Sequence, residues 1–490
     1  MEQLINATAK QFTLLLANIF EFGLPYSSLK EKWHLHMARL REVITIAAAR
    51  SSRPQAVVGL TLAVLILAIS FTVRFDRPLS EMRLGHPESY AALLNARQIV
   101  AGDRAGIDIF SALVAAISLI SSCDPIQVVR FLPPIISLLT LMMLFLIVKR
   151  LTDSTCAALV SLFTVGAYIF TIPAMLLDKR SESELIFLAT LRYTLNEAYI
   201  RQWSGSQFEV GILFVLFIIY TAITSTKIRV SGLLPLILAA YATPTVAALA
   251  LLAALFLLIL QSEAWKRVIV VVFCLLATII AGLYPLSTLT NVDFSSTRAF
   301  LLTLPIWTAI IFGCLFALLA RVSFYFEYAA AISFITFSLF FLLPSRIEDH
   351  YVEYDITARK TYEISQRFAR REWLVVAPVE QLAEVYGLGW YEDLAKFTQQ
   401  QQLQNVATKH TFVFVEKKPF VFRKEEQSVG FQMLTDPTYR FYRSAAGRAS
   451  IEFAALKLCE ELHSKYQKDK RHSYIYYEDE AIRIYHFEKK

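Results

Sequence analysis

The sequence predicts a polytopic α-helical membrane protein of about nine spans, followed by a C-terminal soluble α/β domain. Three observations predict it. Of 490 residues, 56% are hydrophobic and only 18% are charged, a balance rare among soluble globular chains of this size. Apolar runs recur at lengths approaching the roughly 17–25 residues that cross a bilayer. From about residue 346 the composition turns charged and rich in Tyr and Gln, with no further apolar run of that length. The net charge of +7 does not call for a nucleic-acid partner, because basic residues flanking the apolar runs account for much of it.

Residues 1–55 read as cytosolic or interfacial N-terminal helices. The stretch 12–26, FTLLLANIFEFGLPY, is apolar but short and carries Glu21, which suits a helix lying in the interface. Residues 56–345 form the membrane domain, with candidate spans at 57–73, 131–148, 157–177, 210–224, 233–245, 246–260, 268–284, 299–319 and 328–343. The fifth and sixth meet at YATPTVA, where Pro244 marks a break. Lys10, Lys30, Lys32, Arg39, Arg41, Arg50 and Arg53 precede the first span and put the N-terminus in the cytosol. Lys149, Arg150, Lys227, Arg229, Lys266, Arg267 and Arg321 then fall on inner loops. Large outer loops remain at 74–130 and 178–207, and the domain 346–490 lies outside a plasma (inner) membrane. Residues 109–122, IFSALVAAISLISS, are short and flanked by Asp108 and Asp124, which predicts a helix at or dipping into the outer surface.

In the C-terminal domain, REWLVVAPVEQLAEVYGLGWYEDLAKF reads as a buried strand, a helix, a Gly turn and a second helix. TFVFVEKKPFVF reads as a strand pair or one bent strand, SIEFAALKLCEELHSKY as a helix, and YIYYEDEAIRIYHF as a β-hairpin. The five cysteines contain no CxxC and no zinc spacing, so neither a disulfide framework nor a metal–thiolate site is expected.

Polar groups at a membrane boundary are the functional candidates in such a chain. The first outer loop holds HPESYAALLNARQIV, in which Pro87 suits the first position of a helix and Glu88 its first turn. The second opens with LLDKRSESEL, bearing Asp178, Lys179, Arg180, Glu182 and Glu184, and a third segment, PLSTLTNVDFSSTRAF, carries Arg298. Acids at helix starts and span ends also occur for capping and solvation alone, and basic residues at a bilayer edge bind headgroups without catalysis.

The segment ESYAALLNARQIV is similar to the first-loop pattern D-x-Y-Y-x-x-R-x-A-R-x-I of oligosaccharyltransferase catalytic subunits, with Glu88, Tyr90, Ala96, Arg97 and Ile99 at the matching places. RFLPPIISLLTLMMLFLIVKRL resembles the second span of protein-mannosyltransferase-like members, and AMLLDKRSESELIFLATL the second acidic motif, with Asp178 in its usual place. Together these motifs, over about residues 57–200, resemble the GT-C superfamily of integral-membrane glycosyltransferases. The chain departs from the pattern in having Glu at 88, Ala91, Ala92 and Leu94 in the middle, and no Trp-Trp-Asp motif after the last span.

The resemblance implies transfer of a sugar, with inversion, from a polyprenyl-phosphate-linked donor to a glycan, lipid or protein acceptor on the extracytoplasmic side. It implies Glu88 as the acceptor's base and Asp178 as its partner in binding the acceptor or a divalent cation, magnesium or manganese. Tyr90, Arg97, Lys179, Arg180 and Arg298 would bind substrate, the basic ones through charge-assisted hydrogen bonds to phosphate. The missing polar residues at 91–94 leave open a catalytically silent scaffold of the same architecture, or a carrier of lipid-linked sugar.

Overall fold

The structure is a computed structural model. It describes residues 54–103, 108–166, 201–224, isolated positions between 306 and 317, 351–378, 381–400, 408–420, 445–468 and 472–488. The interfacial stretch 12–26 and the candidate spans 233–245, 246–260, 268–284 and 328–343 lie outside the described residues.

The nine-span fold class is corrected. Among the described residues one helix, α4 (Pro125–Thr152), is long and apolar enough to cross a membrane, and it matches the candidate 131–148. The candidate 157–177 is described only as α5 (Thr155–Gly166), and 210–224 falls in α6 (Gln207–Thr224). The first candidate, 57–73, lies in α1 (Pro54–Ser80). Apolar length alone misleads because a helix buried in protein is as apolar as one facing lipid. More than half of the most apolar stretch of α4 (56%) is itself buried against other parts of the chain.

The described residues fall into two compact units, Met1–Asp76 with Pro133–Gln202 and Gln207–Glu348, and Arg77–Leu132 with Trp203–Ser206 and Asp349–Lys490. The described elements of the first are helices. Its core joins Leu144 and Ile147 of α4 to Phe208, Ile212, Val215, Leu216 and Ile219 of α6. Small residues let α5 approach closely: Ala157 and Ala158 pack on Val148. Arg74 of α1 is buried and donates from Nε to Ser137 Oγ at 2.9 Å.

The second unit joins α2 (Pro87–Ala101) and α3 (Ile109–Ser121) to a mixed sheet. In chain order its remaining elements are α7 (Asp355–Arg367), β1 (Trp373–Ala377), α8 (Gln381–Val385), β2 (Trp390–Asp393), α9 (Leu394–Gln400), β3 (His410–Glu416), α10 (Ala445–Lys468), β4 (Ser473–Glu478) and β5 (Ile482–Glu488). The strand order is β2-β1-β3-β5-β4. β1 runs parallel to β2 and β3, while β5 is antiparallel to β3 and β4. Every residue of β1 is buried, as expected of a central strand covered on both faces. Trp373, Val375, Phe412, Phe414, Ile482 and Ile484 pack under Ile364 of α7 and Val385 of α8. On the other face, His463 and Tyr466 of α10 meet the rings of Tyr485 and Phe487.

The C-terminal hairpin forms as its sequence predicts, closed by Asp479, whose Oδ1 accepts from the backbone N–H of Ala481 at 2.7 Å and Ile482 at 2.8 Å. TFVFVE is one strand, β3. The Gly turn also appears, but a strand, β2, intervenes before the second helix. A Cβ on Gly389 would come within 2.6 Å of the Trp373 ring. Gly389→Ala is therefore expected to lower stability by about 1–3 kcal/mol through overpacking, read as a fall in unfolding midpoint.

Candidate functional site at the start of helix α2

The chain enters α2 at His86, whose extended backbone (φ −152°, ψ 142°) suits an N-cap. Its Nδ1 accepts from the backbone N–H of Glu88 at 3.2 Å, so the neutral ring carries its proton on Nε2. Pro follows as the first helical residue, and the helix stops at Gly102 in the left-handed conformation (φ 81°). The Glu88 carboxylate thus stands in the first turn, as the sequence predicts.

A short segment, Trp203–Ser206, closes over this helix start. Ser204 Oγ donates to Glu88 Oε2 at 3.0 Å and lies 3.3 Å from His86 Nδ1. Ser89 Oγ accepts from the Gly205 N–H at 2.8 Å and donates to the Trp203 carbonyl at 3.2 Å. Gly205 is required by close approach, since a Cβ there would sit 2.8 Å from the Phe110 ring. Trp203 also lies under the Arg77 guanidinium at 4.2 Å. His86 and Ser204 are buried, whereas the Glu88 side chain keeps 19% of its surface exposed. The arrangement is a carboxylate with one oxygen clasped by a hydroxyl, fixed on a rigid helix end and still reachable.

Further along α2, at Tyr90 and Arg97, lies a buried polar junction. Tyr90 is buried; its hydroxyl accepts from the Leu84 N–H at 3.2 Å and donates to Glu353 Oε1. Gln381 of α8 donates to the other oxygen of Glu353. Burial, and then the charge of Glu353, push the Tyr90 hydroxyl well above its ordinary pKa, so it stays protonated and donates. Arg97 is buried against Asp124, with Nη2 to Oδ1 at 2.8 Å. Glu384 of α8 lies buried in the same region, facing Glu353 and Thr361. Burial raises its pKa to about 8, against the pull of the Arg97 charge.

The loop before α2 is held as firmly. Arg83 pairs with Glu81 at 3.0 Å and stacks over the Tyr351 ring at 3.3 Å. Asp355 accepts from the backbone N–H groups of Met82 and Arg83 and from Arg359. Burial would raise the Asp355 pKa, but Arg359 and the two N–H groups hold it below the carboxylate range.

Of the predicted site residues, Glu88, Tyr90 and Arg97 lie on this one helix. Of these three only Glu88 keeps a partly exposed functional group; Tyr90 turns inward to Glu353 and Arg97 to Asp124. Asp178, Lys179, Arg180 and Arg298 lie outside the described residues. Among the described residues no group of three His, Cys, Asp or Glu side chains could hold a metal ion. Ser204, Glu353, Gln381 and Glu384 went unpredicted. Ser204 sits in a small polar turn, WSGS, and the other three lie more than 260 residues from Tyr90 in the chain, too far for local pattern to connect them.

The geometry defines a class: a helix-borne, partly exposed carboxylate packed in one unit with a mixed five-stranded α/β domain. No known family model matches the chain, and no curated protein matches it.

Proposed function

We propose that the chain is a membrane glycosyltransferase, moving a sugar from a polyprenyl-phosphate-linked donor to a glycan, lipid or protein acceptor on the extracytoplasmic side. The observation that carries this reading is Glu88, partly exposed at a capped helix start and oriented by Ser204. It stands where the first-loop motif of GT-C enzymes has its acid.

In an inverting transfer, the acceptor oxygen attacks the anomeric carbon while the bond from that carbon to the donor phosphate breaks. The attacking hydroxyl loses its proton to Glu88, and the electron pair of the broken bond leaves on the phosphate. Ser204 holds one carboxylate oxygen in place. Lys179, Arg180 and Arg298 are the proposed phosphate contacts, and Asp178 the proposed acceptor contact. Tyr90 and Arg97 act as positioning residues, tying α2 to Glu353 and Asp124.

A second reading, a catalytically silent scaffold, is favoured by the way Tyr90 and Arg97 serve packing and Ser204 occupies Glu88. One variant separates them. Glu88→Gln keeps the Ser204 hydrogen bond and removes the base, so transfer by the purified protein is expected to fall about 10²–10⁴-fold with little change in unfolding midpoint. Undiminished transfer by this variant refutes the assignment of Glu88. Absence of any turnover by the unaltered chain favours the scaffold.

A further inference from the structure

We propose that α3 is a bilayer-docking helix, whose outward face rests in the interfacial layer of a lipid membrane. This does not depend on the sugar-transfer reading. The helix Ile109–Ser121 contains no charged residue. Its inner face, Phe110, Ser111, Val114, Ala115 and Ser118, is buried. Its opposite face leaves Leu113, Leu119 and Ile120 exposed, Ile120 at 87%, the highest exposure among the described large apolar side chains. Single exposed apolar residues need no explanation, but a continuous apolar face on a capped helix does.

The two acids that flank α3 turn to the backbone rather than outward. Asp108 accepts from the Ser111 N–H at 2.7 Å, and beyond the other end Asp124 accepts from the Ile126 N–H at 2.9 Å. The outward face therefore carries no charge that would select a polar or charged partner.

What covers it follows from its continuity with α4. That helix begins four residues after α3 ends and is the described helix that could cross a membrane. Its uncharged stretch, 131–148, starts immediately after Arg130, so the hydrocarbon boundary falls there if it crosses. The last turn of α3 is about ten residues upstream of that boundary along the chain, within reach of the headgroup layer where an amphipathic helix lies in plane. A lipid surface is thus the occupant that the neighbouring helix already brings close.

The test uses the full chain reconstituted into phosphatidylcholine vesicles containing a photoactivatable phosphatidylcholine. On illumination, lipid adducts are expected on the peptide 109–122. In a variant with the native cysteines replaced, a polarity-sensitive dye at Ile120→Cys should shift to the blue and be quenched by a spin label near the headgroups. The same dye at Lys409→Cys, whose parent side chain is 66% exposed, should not respond. Adducts on α4 without any on 109–122 overturn the proposal. So does a blue shift at Ile120 that appears only with dimerisation through Ile120→Cys, which assigns the face to a second copy of the chain.

Discussion

Glu384→Gln is expected to stabilise the protein, by an amount that grows between about pH 4.5 and pH 8. The buried Glu384 carboxyl has its pKa raised from the ordinary 4.5 to about 8. In the folded state it keeps its proton over a range in which the unfolded chain has already released it. Its stabilising contribution is complete below pH 4.5 and is lost as pH rises through about 8, above which the penalty is constant. A glutamine of nearly the same shape never ionises and escapes that loss. The gain at pH 9 should be at most about 5 kcal/mol, and near zero at pH 4. Denaturant midpoints for both chains at pH 4, 7 and 9 measure it. Parallel pH profiles would show that Glu384 is not buried as a neutral acid.

The opposite result is expected at the ion pair of α10 and β3. Arg448 is fully buried and meets both oxygens of Glu416, at 2.9 and 2.6 Å. Glu416 also accepts from the Phe420 N–H at 2.8 Å, while its own N–H is taken by Glu452. Arg448→Met removes the counter-charge and leaves the Glu416 carboxylate in the interior. The expected cost is about 3–5 kcal/mol, far above that of an exposed pair such as Lys409–Glu372. Replacing both partners, Glu416→Leu with Arg448→Met, should recover most of the loss, because the penalty belongs to the stranded charge rather than to the missing bond. Equal losses in the single and double variants would mean that packing, not charge, governs this site.

Local chemistry made several elements legible. α2 announces itself by Pro87 and by an acid in its first turn, and both appear in those roles. Asp479 between two Tyr- and Ile-rich runs marks the hairpin, because a carboxylate there satisfies the turn's own N–H groups. β2 was not legible, since its four residues lie behind a glycine turn and run directly into a helix. The span count failed for a different reason: hydropathy records that a side chain avoids water, not whether lipid or protein replaces it. The candidate site divides the same way. The place of Glu88 in the first turn of α2 was legible because Pro87 stands beside it. The protein partners of Tyr90 and Arg97 were not legible, because Glu353 lies beyond any local pattern and Asp124 is 27 residues on, past an intervening helix.

The bond from Tyr90 to Glu353 has a consequence for how the protein comes into being. The two residues are 263 positions apart, and α2 is packed against α8, made later still. At ordinary ribosomal speeds of about 5–20 residues per second, the first loop waits more than ten seconds for the partner that completes its interior. Until then the apolar residues of α2 and α3 have no C-terminal domain to shelter them. A nascent chain arrested before residue 349 carries that loop unfinished, the stage at which a chaperone has most to hold.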